Sequence, residues 1–159
     1  MNRLDIKVAT KEELDLILKL QKLSYQSEAK LYNDYNIEPL TQSRDDLINS
    51  FDDEVIYLTG YLNGKLIASV RGYIKKNTGF INKLIVHPDF QRRGYGKLMM
   101  NSIENILKTA SRFELFTGNK SEKNIRLYEK LGYEIYRSEK VSEALTLVFL
   151  QKQYNNEHS

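Results

Sequence analysis

The chain contains no cysteine and only two histidines, His87 and His158. Without cysteine there are no disulfides, thiolate metal sites or thiol nucleophiles, so covalent chemistry would fall to Ser, Thr or Lys. Two histidines cannot assemble a histidine metal cluster, and a Ser/His/Asp triad would have to rest on His87. No metal is expected. Long apolar runs are also missing, since none reaches the roughly 20 residues that span a bilayer. Residues 1–10 carry charges where a secretory signal would be apolar. These absences argue against membrane insertion and predict a cytoplasmic protein.

What remains is a globular mixture of 41% hydrophobic and 28% charged residues in a chain of 159. A chain of that size buries about 70% of its unfolded surface, enough for one domain with its own core. The net charge of +3 is spread along the sequence, which hints at an anionic ligand without requiring nucleic acid.

Ile6 and Val8 alternate with polar neighbours as a strand, and Thr10 with Glu13 has the spacing of a capping box ahead of a helix through Leu14, Ile17, Leu18 and Leu20. Residues 24–41 lack a sustained period, contain Pro39, and read as irregular or broken helix. Ser43 is placed to cap a helix through about Phe51. Runs at 55–61 and 66–74 flank Asn63-Gly64 and predict an antiparallel hairpin, with a second turn at 77–79 before a strand at 80–86 that Pro88 stops. Leu98, Met99, Ile103, Ile106 and Leu107 recur at helical spacing; Met99 and Ile103 are read as packing residues. A strand at 112–117, a helix at 121–131 ended by Gly132, and strands at 133–136 and 145–150 complete the order. The expectation is an α+β fold, a mixed and mainly antiparallel sheet of six or seven strands with helices on both faces, covering residues 1–152. Residues 153–159 are expected to form a frayed tail.

The segment richest in chemistry is Val86-His87-Pro88-Asp89-Phe90-Gln91-Arg92-Arg93-Gly94-Tyr95-Gly96-Lys97. It reads as a strand end, a loop with two glycines and a helix start. The first turn of a helix offers unpaired N–H groups and a positive dipole end, and Arg92, Arg93 and Lys97 add charge at the same place. The arrangement suits a polyphosphate. It is not a Walker loop, because Lys97 is followed by Leu98, and Met99 occupies the third glycine position of a dinucleotide fingerprint.

Val86, Pro88, Gln91, Gly94 and Gly96 together resemble the GNAT-type N-acetyltransferase signature. A second stretch, Asn124 with Leu127-Tyr128-Glu129-Lys130-Leu131-Gly132-Tyr133, resembles the later signature of the same family. The resemblance implies a single acyl-CoA N-acyltransferase domain that moves an acetyl group from acetyl-CoA, a cosubstrate, to a primary amine on a small molecule, a peptide amino terminus or a lysine. It implies that backbone groups of Leu84, Ile85 and Val86 hold the pantetheine arm, with Gln91, Arg92, Arg93, Gly94, Tyr95, Gly96 and Lys97 around the pyrophosphate and Asn124 further along the cofactor. Tyr128 is the implied acid for the departing thiol, and a backbone N–H near Ile85 the implied oxyanion donor.

Many relatives carry Glu near the position of Lys83, so the general base is left unassigned. Glu28 and Asp34 are candidates to attract a cationic amine or relay its proton, His87 is a weaker candidate base, and Tyr25, Tyr32 and Tyr35 are candidate pocket walls. Homodimerisation is an expectation of the resemblance alone. A non-catalytic acyl-CoA-binding or sensor domain is the alternative reading. A nucleic-acid module built on Arg92, Arg93, Lys97, Lys120, Lys123 and Arg126 ranks last, since no base-stacking motif accompanies those charges.

Overall fold

The computed structural model describes residues 3–153. Strand β1 (Asp5–Val8) leads through a short 3-10 turn at Lys11–Glu13 into α1 (Leu14–Ser24). The Glu13 carboxylate accepts from the Thr10 amide at 2.9 Å, closing the expected capping box. Helices α2 (Gln26–Tyr32), α3 (Glu38–Thr41) and α4 (Arg44–Asp52) follow. The 24–41 stretch is thus largely helical, broken where Asn33 turns left-handed. Ser43 caps α4, its Oγ accepting from the Asp46 amide at 3.1 Å.

Strands β2 (Ile56–Leu62), β3 (Lys65–Lys75) and β4 (Thr78–Val86) form two successive hairpins. Asn63 and Gly64 both have positive φ, as a tight turn between right-twisted strands requires. The second turn falls on Lys76 and Asn77, which have positive φ, and not on the expected 77–79. Gly79 lies inside the strand, where a Cβ would stand 2.7 Å from the Phe113 ring. That glycine admits a neighbouring side chain instead of shaping a turn.

After β4 come α5 (Tyr95–Ile106), β5 (Arg112–Gly118), α6 (Glu122–Lys130), β6 (Glu134–Lys140) and β7 (Thr146–Gln153). β7 runs through Gln153, and residues 154–159 of the expected tail lie outside the described residues, as does His158. The seven strands form one sheet in the order β1-β2-β3-β4-β5-β7-β6, antiparallel except for the β4–β5 pair. Met99, Met100 and Ile103 of α5, with Leu107 just past its end, pack with Leu58, Val70, Ile81 and Phe113, while Leu14, Ile17 and Leu47 of α1 and α4 pack with Tyr57. Successive strand residues face opposite ways, so Tyr57 and Leu58 mark the two covered faces. The expected α+β architecture is the observed one. Among the described residues no helix is long and apolar enough to cross a membrane.

Candidate functional site

β4 and β5 pair only at Thr78 with Arg112, Gly79 with Phe113 and Phe80 with Glu114. Beyond Phe80 the strands part, β4 continuing on β3 to Val86 and β5 continuing on β7 to Gly118. A wedge opens between them. Its vertex is tied by Arg112, which donates to Thr78 Oγ1 at 3.2 Å, Glu114 Oε1 at 2.9 Å and Gln151 Oε1 at 3.0 Å.

The parting coincides with a β-bulge. Arg71 pairs with Asn82 and Ser69 with Ile85, so Val70 faces two residues, Lys83 and Leu84. Lys83 takes φ 55°, a left-handed conformation that costs a non-glycine residue about 1 kcal/mol. Its Nζ meets Glu38 Oε1 at 2.8 Å, and its side chain is only 10% exposed.

The same register fixes the direction of the backbone groups. The His87 amide donates to the Ile67 carbonyl of β3 at 2.7 Å. Alternation back from that bond turns the Ile85 amide towards Ser69 and points the groups of Val86 into the wedge. The gap-facing donor expected near Ile85 is therefore the neighbouring Val86 amide. The Val86 carbonyl accepts from the Gln91 side chain at 3.1 Å, so Gln91 ties the loop back onto the strand end.

In that loop, His87 Nδ1 accepts from the Asp89 amide at 3.1 Å and caps the turn at Pro88–Phe90, a structural use of the imidazole. Arg92 at φ 65° and Gly94 at φ 85° swing the chain into α5. The first helical bond runs from the Leu98 amide to the Gly94 carbonyl at 3.2 Å. The amides of Tyr95, Gly96 and Lys97 precede it and have no helical acceptor, so they sit at the positive end of the dipole. Arg92, Arg93 and Lys97 are exposed around them, Arg93 lying 5.3 Å from the Phe90 ring centroid. A Cβ on Gly94 would meet nothing within 4 Å. One on Gly96 would lie 3.3 Å from Leu127 and 3.8 Å from Leu84, so this glycine lets α5, α6 and β4 converge.

Next to Leu127 on α6, Tyr128 is 7% exposed, and its hydroxyl has no hydrogen-bond partner among the described residues. Burial first, and then the charge of Glu28, push its pKa well above the usual phenol value. It therefore stays protonated. Glu28 accepts from Ser121 Oγ at 2.6 Å and from Asn124 Nδ2 at 3.3 Å, while the Tyr32 hydroxyl accepts from the Lys120 amide at 2.8 Å and lies 3.0 Å from Ser121 Oγ. This network docks α2 onto the start of α6. It brings Glu28 and Asn124 together and uses Tyr32 structurally. Asp34 instead accepts from the Asn36 amide at 2.8 Å in its own loop, and Tyr35 is exposed.

Residues 22–133 match the profile of the Acetyltransferase (GNAT) family. The chain belongs to the GNAT family. An acetyltransferase of Pectobacterium atrosepticum is 31% identical over 84 residues, a match covering 52% of this chain and 60% of that protein. One of Yersinia pestis strain Pestoides F is 29% identical over 84 residues, with the same shares. Among solved structures, the ribosomal-protein-S18-alanine N-acetyltransferase of Escherichia coli superposes with a TM-score of 0.80 at 15% identity, covering 100% of this chain and 99% of that one. The PaiA N-acetyltransferase of Thermoplasma acidophilum, solved with coenzyme A, gives 0.79 at 17% identity, covering 96% and 99%.

This GNAT wedge also borders one group that the sequence reading passed over, Arg71. Arg71 of β3 is 4% exposed, donates to Gln21 and, at 3.4 Å, to Gln42, and lies 4.5 Å from the Tyr57 ring centroid. Its Nε has no acceptor among the described residues. Burial lowers the pKa of both Arg71 and Lys83. Tyr25 is partly exposed, yet burial raises the pKa of its hydroxyl, assisted by Tyr128. A lone Arg inside the apolar run Ile67-Ala68-Ser69-Val70-Arg71 was the one available signal, because buried charges are rare without a reason.

Proposed function

We propose that this GNAT chain is an N-acetyltransferase that passes the acetyl group of acetyl-CoA directly to a primary amine of a small molecule, a peptide amino terminus or a lysine. The observation that carries this reading is the convergence on one wedge of three first-turn amides of α5 and the Tyr128 hydroxyl, none of which has a hydrogen-bond acceptor or donor partner among the described residues. The open space beside Gly94 and the exposed Arg92, Arg93 and Lys97 fit a pyrophosphate at its mouth.

When bound, acetyl-CoA supplies an activated thioester carbonyl and a thiol leaving group. The amides of Tyr95, Gly96 and Lys97 bind phosphate oxygens, and the edge of β4 from Leu84 to Val86 orients the pantetheine arm. The Val86 amide donates to the carbonyl oxygen as negative charge grows there. Tyr128, kept neutral by burial and Glu28, gives its proton to the sulfur. Glu28, whose charge reaches Tyr128, takes up the proton of the amine through water. The ion pair of Lys83 with Glu38 leaves no free carboxylate at this point of β4, which favours the alternative of a non-catalytic acyl-CoA sensor.

A thermal-shift titration with acetyl-CoA and CoA, with NAD as control, tests the reading. Ligand at 100 times its Kd adds about 2.7 kcal/mol to stability. Acetyl-CoA should raise Tm saturably and NAD should not, while Gly94→Glu should abolish the response by placing negative charge in the cradle. Tyr128→Phe should keep the shift and slow thiol release by about 100-fold. Absence of any acetyl-CoA shift would refute the site, and binding without turnover of any amine would select the sensor.

A further inference from the structure

Two buried cations lie side by side on the α1–α3 side of the wedge. Arg71 pairs across the sheet with Asn82, the residue before Lys83, and its charge adds to burial in lowering the Lys83 pKa. Their surroundings are poor in anions. Arg71 meets neutral groups, the side-chain oxygens of Gln21 and Gln42 and the Tyr57 hydroxyl, and its Nε has no acceptor within hydrogen-bond distance among the described residues. Lys83 has Glu38, whose side chain is 63% exposed at the start of a short helix. Glu28 accepts from Ser121 and Asn124 and makes no ion pair with either cation among the described residues. Two desolvated cations thus face one carboxylate that stands mostly in solvent, an arrangement unfavourable on its own and completed by an entering anion.

We infer that the acceptor is an amine carrying a carboxylate, received by Lys83 Nζ and Arg71 Nε. Glu38 holds the place of that carboxylate in the free protein and moves aside into solvent when it enters. A guanidinium with an unused N–H and an ammonium with exchangeable partners suit a carboxylate, which accepts several charge-assisted bonds. On β4 Lys83 is followed by Leu84, which shares the surroundings of Gly96 with Leu127, the residue before the proposed acid Tyr128. A carboxylate anchored there leaves the amine of the same molecule on the Tyr128 side. The inference names the acceptor class for the acetyltransferase reading and rests on it.

Matched pairs decide the matter: free α-amino acids and their α-carboxamides, assayed for thiol release with acetyl-CoA and for thermal stabilisation with and without CoA. The acids should exceed the amides by about tenfold in kcat/KM, the worth of one charge-assisted bond, and stabilise the fold where amides do not. Lys83→Met should raise KM for acids and bring the pairs to near parity while leaving the acetyl-CoA shift intact. Glu38→Gln should lower KM for acids. Equal response of acids and amides in both assays, no response to either included, overturns the inference, as does a preference that survives in Lys83→Met. Loss of the acetyl-CoA shift in the wild type would sink the acetyltransferase reading instead, and stabilisation by acids alone would still report on the anion site.

Discussion

Gly118→Ala should damage the protein far more than its single added carbon suggests. A Cβ at Gly118 would stand 2.0 Å from the Tyr32 hydroxyl oxygen, 2.5 Å from Cζ and 3.0 Å from Cε2. No rotation about the ring axis relieves an overlap with the ring's end, so Tyr32 must leave its buried position. It then loses the bond from the Lys120 amide and its contact with Ser121, the group that holds Glu28. Overpacking of this kind costs about 1–3 kcal/mol, and each lost buried hydrogen bond adds about 1 kcal/mol. The sum is about 3–5 kcal/mol, or a fall in Tm of about 10 °C for a chain of this length. Thermal and urea unfolding of the variant measure it, with a Tyr32→Ala background as control. With the ring gone, Gly118→Ala should cost less than about 1 kcal/mol. Equal costs in the two backgrounds would refute the account, because the damage would then arise from β5 itself.

Two further perturbations test the electrostatics. At Glu13, burial would raise the pKa, but hydrogen bonds from Tyr61 and Thr10 and the field of Lys7 together hold it below the ordinary value. A depressed folded pKa stabilises above the unfolded value, about 4.3, and that contribution is lost as pH falls through the folded value. Urea midpoints of wild type and Glu13→Gln should therefore differ near neutrality and converge below about pH 4, and a pH-independent difference would contradict the assignment. Buried Glu104 accepts from Tyr133 at 2.7 Å and from Lys152 at 2.9 and 3.1 Å. Lys152→Met, which strands a buried carboxylate, should cost about 3 kcal/mol, and Glu104→Gln, which leaves Lys152, the more exposed partner, free to reach solvent, about 1 kcal/mol. The reverse order in urea unfolding would show that Glu104 is the better solvated partner.

Much of this architecture could be read from residue order, because local rules and tertiary packing agree in most of it. Thr10 with Glu13, Ser43 with Asp46, and Asn63-Gly64 act as their types suggest. Errors arose where tertiary contact overrides type. Gly79 reads as a turn residue, yet it is a strand position kept bare for Phe113, and β6 extends to Lys140 because β7 offers it a partner across the sheet. At the site, the loop and the start of α5 were legible from Gln91, Gly94, Gly96 and their basic neighbours. The pairings of Glu28 with Ser121, Lys83 with Glu38 and Arg71 with Gln21 were not, since each joins positions far apart in the chain that only the sheet order brings together. The direction of the Ile85 amide depended on a parity that an extra residue in β4 had altered.

That extra residue matters beyond its own strained backbone. Bulges bend the strand that contains them, and this one lies just past the last rung that β4 shares with β5. The opening is thus a matter of surplus length. A chain lacking Lys83 would retain every signature residue from Val86 to Gly96 and from Asn124 to Tyr133, while β4, restored to even count, would be free to zip along β5 and seal the cleft. Deletions and insertions at this point of β4 should therefore weigh more in deciding which sequences of this kind can admit a ligand than substitutions in the loop that follows.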